Sequence, residues 1–326
     1  MALRLRARHA LVVCLASVVT AGALAAAPAT AGVAPARAAN PPAAVVERVD
    51  VVGEYEATVA GDPATVYHPQ HTRGRRYPVA LLLQGADVPR AAYARYARTV
   101  ASYGFIVVVP DHERIVFGRP MLFAEERQVD DAAAWMAAED GRAGSPVAGG
   151  VDTANLVLLG HSAGGVAALY AVEGTCKPPF CVDPTDARPP QLRAAALYGT
   201  NSAAPGVPGA DPIETAGVPV ALIQGSLDGR ASLAAGQATY DAMSGGGKAL
   251  IVLDGANHYG VTDTQNPVGA LPDANIPTLP QEVSVDTAAK WSAMWLRARL
   301  GDAAAGFYVY VVGDLVDANV RLQHGG

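Results

Sequence analysis

Short apolar runs of strand length alternate with segments of helical spacing along most of the chain. The runs end at turn-forming residues, and the segments between them repeat apolar residues every three or four positions. The pattern predicts strands at Tyr77–Gly85, Phe105–Pro110, the run from Asn155, Ala194–Tyr198, Val218–Gln224 and Ala249–Leu253, with helices at Arg90–Ser102, Glu125–Ala138, after Ser162, Leu233–Met243 and Thr287–Leu300. This alternation predicts an α/β fold with a mostly parallel central sheet and helices on both faces.

The two ends of the pattern differ from its middle. Alternating polar and apolar residues in Val45–Val59, followed by the strand-like Ala64–His68, predict an antiparallel opening to the sheet. The apolar stretch Ile115–Phe123 is interpreted as a loop at the carboxyl end of a strand. Phe307–Val312 leaves three assignments open: an added strand, a final helix or a partner surface.

The first forty residues have the order typical of a secretory signal peptide. Arginines at positions 4, 6 and 8 precede the apolar run Ala10–Ala27, and small residues follow at Ala29-Thr30-Ala31. A membrane anchor is the alternative, but the run is short and polar residues interrupt it. We therefore predict a signal peptide and a disordered Ala/Pro-rich leader over 1–39, one catalytic domain over 45–326, and a secreted protein.

Charge and cysteine content narrow the possible partners. The formal charge is −6, and it falls to −9 once the arginines at positions 4, 6 and 8 are removed. Because lysine occurs only three times, no basic stripe is left for nucleic acid or anionic lipid, and we expect no stable membrane insertion after signal removal. Cys176 and Cys181 are close enough in an exported chain to predict a local disulfide. The same stretch offers too few ligands for a metal, and we expect no cofactor.

A strand-to-helix turn at Gly160-His161-Ser162-Ala163-Gly164 carries the strongest chemical signal in the chain. It matches Gly-x-Ser-x-Gly, in which a serine sits on a sharp, strained turn and exposes its hydroxyl as a nucleophile. Glycine is needed on both sides because strand and helix nearly collide there. An ordinary strand-to-helix turn is the alternative interpretation. We predict that Ser162 is the nucleophile.

Two further residues follow strand ends and can complete a catalytic set with Ser162. Asp228 follows the strand that ends near Gln224, and His258 follows the strand that ends at Leu253. Parallel strands bring their carboxyl ends to one edge of the sheet, where ligands bind. The imidazole is suited to general-base work, and the carboxylate to orienting it. A turn-capping aspartate and an exposed loop histidine are the alternatives, and Asp254 is a less favourable acid.

The remaining site predictions concern the oxyanion and the substrate. Backbone N–H groups of Ala163 and Ala86 are candidates for the oxyanion hole, although the segment around Ala86 can also be a plain connection. Four apolar or aromatic residues are candidate pocket residues, with burial in the core as the alternative: Phe117, Met121, Tyr198 and Tyr259. We interpret His68, His112 and His161 as structural, and a metal at Asp111-His112-Glu113 is the weaker alternative.

Residues from about Val51 to Leu300 resemble the α/β-hydrolase superfamily, in particular a secreted branch with cutinase-type polyester hydrolases, chlorophyllase-like esterases and dienelactone-hydrolase relatives. The similarities lie in Thr65-Val66-Tyr67-His68-Pro69, Val100–Phe105, Val151-Asp152-Thr153, Gly160–Gly165 and Gly255-Ala256-Asn257-His258. The order Ser, Asp, His is also that of the superfamily. Dienelactone hydrolases use cysteine where this chain has Ser162. The chlorophyllase elbow, Gly-His-Ser-Arg-Gly-Gly, differs from this one only at Ala163.

Residues and resemblance together predict a secreted serine hydrolase that cleaves carboxylic esters through an acyl-enzyme. The expected substrate is a small-molecule or lipid-like ester. An acyltransferase with the same triad and a non-catalytic binding protein on the same fold are the alternatives.

Overall fold

The computed structural model describes residues 48–49, 51–70, 74–181, 188–203 and 209–325. The predicted signal peptide and leader, residues 1–39, lie outside the described residues. The assignment of one catalytic domain to 45–326 stays a prediction.

The apolar runs form the strands of a central sheet. In chain order, the strands of the described residues are β1 (Val52–Val59), β2 (Asp62–Pro69), β3 (Tyr77–Leu83), β4 (Ile106–Pro110), β5 (Glu113–Val116), β6 (Arg119–Leu122), β7 (Val151–His161), β8 (Leu192–Tyr198), β9 (Ile213–Glu214), β10 (Val220–Gly225), β11 (Met243–Ser244), β12 (Lys248–Leu253) and β13 (Val320–Gly325). Nine of them form one sheet in the order β1-β2-β4-β3-β7-β8-β10-β12-β13.

The middle of this sheet is parallel and its two edges are antiparallel. Strands β4, β3, β7, β8, β10 and β12 run in the same direction. The predicted antiparallel opening is confirmed, because β1 pairs with β2 and β2 with β4 in antiparallel register. Chain order reverses between β3 and β7, and this switch point is where α/β sheets bind ligands. The fold is that of the α/β hydrolases.

Helices cover both faces of the sheet. They are α1 (Ala94–Ser102), α2 (Gln128–Gly141), α3 (Ala163–Glu173), α4 (Leu233–Ala242), α5 (Gln281–Arg299), α6 (Ala303–Phe307) and α7 (Gly313–Val316), with a 3₁₀ turn at Arg90–Tyr93 and a π-helical turn at Tyr308–Val312. Helix α5 begins six residues before the predicted start. Its first turn is largely exposed, so apolar spacing does not mark it.

Alternate side chains of each central strand belong to opposite cores. In β3, Val79, Leu81 and Leu83 pack in the core with α2 and α3. Ala80 and Leu82 pack in the other core with α1 and α5. A strand that is buried on both faces has no solvent-facing side and therefore needs no polar residues, which explains the uninterrupted apolar runs of the sequence.

Two segments differ from their predicted state. Residues of the predicted loop 115–123 form an antiparallel hairpin, in which β5 pairs with β6. Near the C terminus, Phe307–Val312 is helical, and the added strand comes later as β13, which pairs antiparallel with β12. The side chain of Val309 is fully buried in the core that contains α5, so this segment is part of the packed body.

The predicted disulfide between Cys176 and Cys181 is confirmed, with Cα atoms 5.1 Å apart. It closes a short loop directly after α3. Within the described ranges, no helix combines the length and the apolarity needed to cross a bilayer.

Candidate active site

Ser162 occupies a strained position between β7 and α3. Its backbone has φ 53° and ψ −120°, in a region that residues with a side chain rarely adopt. Such a conformation costs about 1–3 kcal/mol and persists where the surrounding structure enforces it, often at functional sites. The Ser162 amide donates to the Tyr198 carbonyl at 2.9 Å. The turn therefore has the backbone geometry of a nucleophile elbow.

Close packing around the turn accounts for two of its glycines. A Cβ at Gly164 would lie 2.1 Å from the Leu83 carbonyl oxygen, which belongs to the neighbouring strand β3. A Cβ at Gly160 would lie 2.7 Å from the Gly165 Cα. Both obstacles are backbone atoms, which cannot rotate away as a flexible side chain can. Glycine is therefore required for α3 to leave β7 at this angle.

Asp228 and His258 meet at the same edge of the sheet. His258 Nδ1 lies 2.9 Å from Asp228 Oδ2, and both side chains are buried. The other carboxylate oxygen accepts from the backbone N–H groups of Arg230 and Ala231 at 2.8 and 2.7 Å. Asp228 thus caps a turn and orients the imidazole at once. The rival carboxylate, Asp254, is paired with Arg321 instead.

A second aspartate, Asp273, fixes the backbone that carries these two residues. Its buried carboxylate accepts from the N–H groups of His258 (3.0 Å), Gly229 (3.1 Å) and Asn275 (2.9 Å). One side chain therefore ties the loop of the histidine to the loop of Asp228. Sequence reasoning did not select Asp273, because it lies in a turn-rich stretch outside the strand-end pattern.

His161 connects the loop that carries His258 to the turn after β3 through a buried chain of hydrogen bonds. Its Nε2 donates to the His258 carbonyl at 3.0 Å, and its Nδ1 accepts from the Tyr93 hydroxyl at 2.9 Å. That hydroxyl in turn accepts from the Gly85 N–H at 2.9 Å. Burial, and then the neighbouring His258, lower the pKa of the His161 imidazole well below its ordinary value. A neutral His161 with its proton on Nε2 fits this chain of contacts.

The two candidate oxyanion amides lie on either side of the switch point. Ala86 follows β3, and Ala163 follows Ser162. Their side chains pack on the same small apolar cluster under the β5–β6 hairpin. Within the described residues, neither N–H donates a hydrogen bond. Both donors are therefore available to an oxyanion.

Ser162 and His258 line one cavity of about 500 Å³. Most of the lining is apolar or aromatic: Ala163, Val166, Tyr170, Phe123, Phe180 and the two prolines of the disulfide loop, with Phe117 at the hairpin tip. The polar residues of the lining include Asn201, Asp211 and Arg230. The Ser162 hydroxyl has no hydrogen-bond partner among the described residues. Catalytic hydrogen bonds often tighten only when substrate binds.

Of the four candidate pocket residues, Phe117 lines the cavity and the other three do not. Met121 is buried in the apolar cluster of the hairpin. Tyr198 is buried in the core and donates from its hydroxyl to the Asn257 carbonyl at 2.7 Å. Tyr259 is also buried, with its hydroxyl bonded to the Leu271 carbonyl. Sequence reasoning did not select Phe180, which the disulfide loop presents to the cavity.

A partly buried charge cluster anchors the base of the β5–β6 hairpin. His112 Nδ1 lies 2.7 Å from Asp62, its Nε2 lies 3.3 Å from Glu125, and Arg114 pairs with Glu125 at 2.8 Å. Burial alone would lower the pKa of His112, but the two carboxylates raise it to about 9. The cluster joins β2, the hairpin and the start of α2, so the structural interpretation of His112 fits its contacts.

Comparison with known proteins gives one finding for this chain. Residues 42–179 match the Chlorophyllase family model. The match runs from the first strands through Ser162 and α3 to the disulfide loop, and it ends before Asp228 and His258. A search of curated proteins found no match.

The family match and the fold agree on the general class. Chlorophyllases are a family of the α/β-hydrolase superfamily, and the nine-stranded sheet has that fold. Both therefore indicate an esterase-type α/β hydrolase. The predicted relation to cutinases and dienelactone hydrolases has no support from the match.

Proposed function

We propose that the protein is an exported serine hydrolase that cleaves carboxylic esters through an acyl-enzyme intermediate. The observation that carries this proposal is the shared cavity of Ser162 and His258, with His258 Nδ1 held by Asp228 at 2.9 Å. Because Nδ1 faces the carboxylate, Nε2 is the nitrogen that can take the serine proton. Export is supported by the predicted leader and by the disulfide, a bond typical of oxidising compartments.

The first half-reaction transfers the acyl group to the enzyme. Ser162 Oγ attacks the ester carbonyl carbon while its proton moves to His258 Nε2. The carbonyl oxygen becomes an oxyanion and accepts from the Ala86 and Ala163 N–H groups. The bond from carbon to the alcohol oxygen then breaks, and the imidazolium returns its proton to that oxygen. An alcohol leaves, and Ser162 carries the acyl group.

Water reverses these roles in the second half-reaction. His258 takes a proton from water, the hydroxide oxygen bonds to the acyl carbon, and the bond to Ser162 Oγ breaks as the serine regains a proton. Asp228 stabilises the imidazolium in both halves by accepting from Nδ1. The polar residues of the cavity lining can hold the water, and its apolar residues suit a lipid-like or aromatic part of a small ester.

The test is active-site labelling with a fluorophosphonate, combined with hydrolysis of short p-nitrophenyl esters. We expect labelling and turnover in the wild type, and loss of both in Ser162→Ala. The matched control is Ser202→Ala, which removes a second serine hydroxyl from the same cavity, one that donates to the Asp211 carbonyl at 2.8 Å. Labelling that survives Ser162→Ala, or a folded wild type that neither labels nor turns over, would refute the proposal.

A further inference from the structure

Arg230 lies at the catalytic cavity and is positioned by the proposed catalytic acid. It follows Asp228 by two residues, and its backbone N–H donates to Asp228 Oδ1 at 2.8 Å. The residue is exposed and lines the same cavity as Ser162 and His258. Because any residue except proline keeps the backbone contact, the side chain can be changed without disturbing the turn.

The guanidinium of Arg230 has no hydrogen-bond, ion-pair or ring partner among the described residues. Every other arginine that the structure describes directs its side chain to a hydrogen-bond acceptor, a carboxylate or an aromatic ring. In the described part of the chain, Arg230 has none of these. The charge of Arg230 nevertheless acts on a neighbouring residue. Burial raises the pKa of Tyr259, and the Arg230 charge opposes that rise.

The charged residues of the cavity lining indicate which kind of ligand the Arg230 guanidinium can bind. The described lining contains one basic side chain besides histidine, Arg230, and one carboxylate, Asp211. Asp211 is exposed and forms no ion pair with Arg230. The same lining includes the aromatic side chains of Phe123 and Phe180. A ligand that matches this lining has an apolar part and an anionic group.

We infer that Arg230 recognises a carboxylate on the substrate, so that esters carrying a free carboxylate, such as half-esters of dicarboxylic acids, are preferred over uncharged esters of the same shape. This inference rests on the proposed ester hydrolysis at Ser162. A planar guanidinium binds a carboxylate through two parallel hydrogen bonds, a geometry that an ammonium group cannot reproduce. Arg230 is thus a specificity-determining residue on the cavity wall.

The experiment compares monoethyl adipate with ethyl 6-methylheptanoate, in which an isopropyl group replaces the carboxylate at the same distance from the ester. Ethanol release gives the ratio of kcat/KM for the charged and the uncharged ester. We expect Arg230→Gln to lower this ratio roughly ten-fold, and Arg230→Lys to lower it less. Asp211→Asn should raise the ratio, because it removes a repulsive carboxylate. In the wild type, 0.5 M NaCl should lower the ratio by screening.

Arg193→Gln is the matched control. Arg193 is exposed, lies at the start of β8 and bonds Asn155, at the opposite end of the strand from the site. The same loss of charge there should leave the ratio unchanged. A ratio that is equal in wild type and Arg230→Gln, while both esters are hydrolysed, overturns the inference and leaves the proposed function intact.

If the wild type does not turn over, ligand-binding measurements still test carboxylate recognition by Arg230 separately from the proposed hydrolysis at Ser162. The two esters can be titrated by calorimetry into Ser162→Ala and into the double variant Ser162→Ala/Arg230→Gln. Tighter binding of monoethyl adipate that depends on Arg230 supports the inference, and equal binding by the two variants overturns it. Absence of turnover by the wild type counts against the proposed function alone.

Discussion

The tip of the β5–β6 hairpin places a phenylalanine where the backbone disfavours it. Val116 pairs with Arg119, so the turn consists of Phe117 and Gly118 alone. Their φ values are 52° and 78°, and positive φ at both central residues defines a type I′ turn. Asn-Gly is the favoured sequence there, and a residue with a bulky side chain loses roughly 1–2 kcal/mol in the left-handed region.

The side chain of Phe117 is also unusually exposed for an aromatic residue. Phe117 is 84% exposed and lines the cavity that contains Ser162 and His258. A strained backbone and an uncovered aromatic ring both reduce stability or solubility, so a role outside folding is the simplest account of the residue. We expect the ring to cover the apolar part of a bound ester.

Phe117→Asn should therefore change stability and activity in opposite directions. Stability should rise by about 1 kcal/mol, because asparagine tolerates the left-handed conformation, and Tm should rise by about 2 °C for a domain of this size. Burying a whole phenylalanine side chain is worth about 2–3 kcal/mol, and a ligand that covers part of the exposed ring gains about 1 kcal/mol. Losing that contact lowers kcat/KM about five-fold for long-chain esters.

The assay compares p-nitrophenyl butyrate with p-nitrophenyl decanoate, alongside urea unfolding. Ile115→Thr is the control: Ile115 is 67% exposed on the same hairpin and does not line the cavity. This change keeps a β-branched residue in the strand and should leave the ratio of the two kcat/KM values unchanged. If Phe117→Asn lowers stability, or raises it without altering that ratio, the reasoning about the hairpin tip is wrong.

Three further changes test the site and its supports. Asp273→Asn should destabilise the protein by about 2 kcal/mol in urea and lower kcat, because a carboxylate that holds the His258 N–H is lost; an unchanged kcat would contradict the positioning role. Gly164→Ala should cost about 3 kcal/mol or prevent folding, whereas Gly141→Ala, with open space for its Cβ, should be neutral or stabilising in the same unfolding assay. Since the pKa of His112 is raised to about 9, its stabilising charge is fully present below pH 6.5 and is lost as the pH rises through 9; His112→Gln should flatten the loss of urea stability between pH 7 and pH 10, and parallel profiles would contradict this.

Local patterns in the sequence were sufficient to predict the central strands of the sheet. The strands around Leu81, Val108 and Leu158 are buried on both faces, so each appears as an uninterrupted apolar run. The elbow at Ser162 was also predictable, because a steric requirement for glycine on both sides leaves a short motif in the sequence. Strand ends then selected Asp228 and His258 as candidates by the geometry of parallel sheets.

Other features depend on residues that are far apart in the chain. Asp273 accepts hydrogen bonds from the backbone N–H groups of residues 229 and 258. The residues next to Asp273 in the sequence give no sign of these distant contacts. Tyr198 ends β8 and Tyr259 lies on the loop after β12, close to where cavity residues occur, yet both side chains are buried in the core, where backbone carbonyl oxygens accept from their hydroxyls. Phe180 reaches the cavity because the disulfide closes the loop behind it.

Local sequence patterns specified the central strands, the helices between them and the residue types at the strand ends, because side-chain periodicity and turn sterics are local. The packing of distant segments set which side chains line the cavity, which cation has no partner among the described residues, and which carboxylate joins the loops of Asp228 and His258. Those outcomes depend on contacts between segments separated by tens of residues, and a linear pattern does not record such contacts.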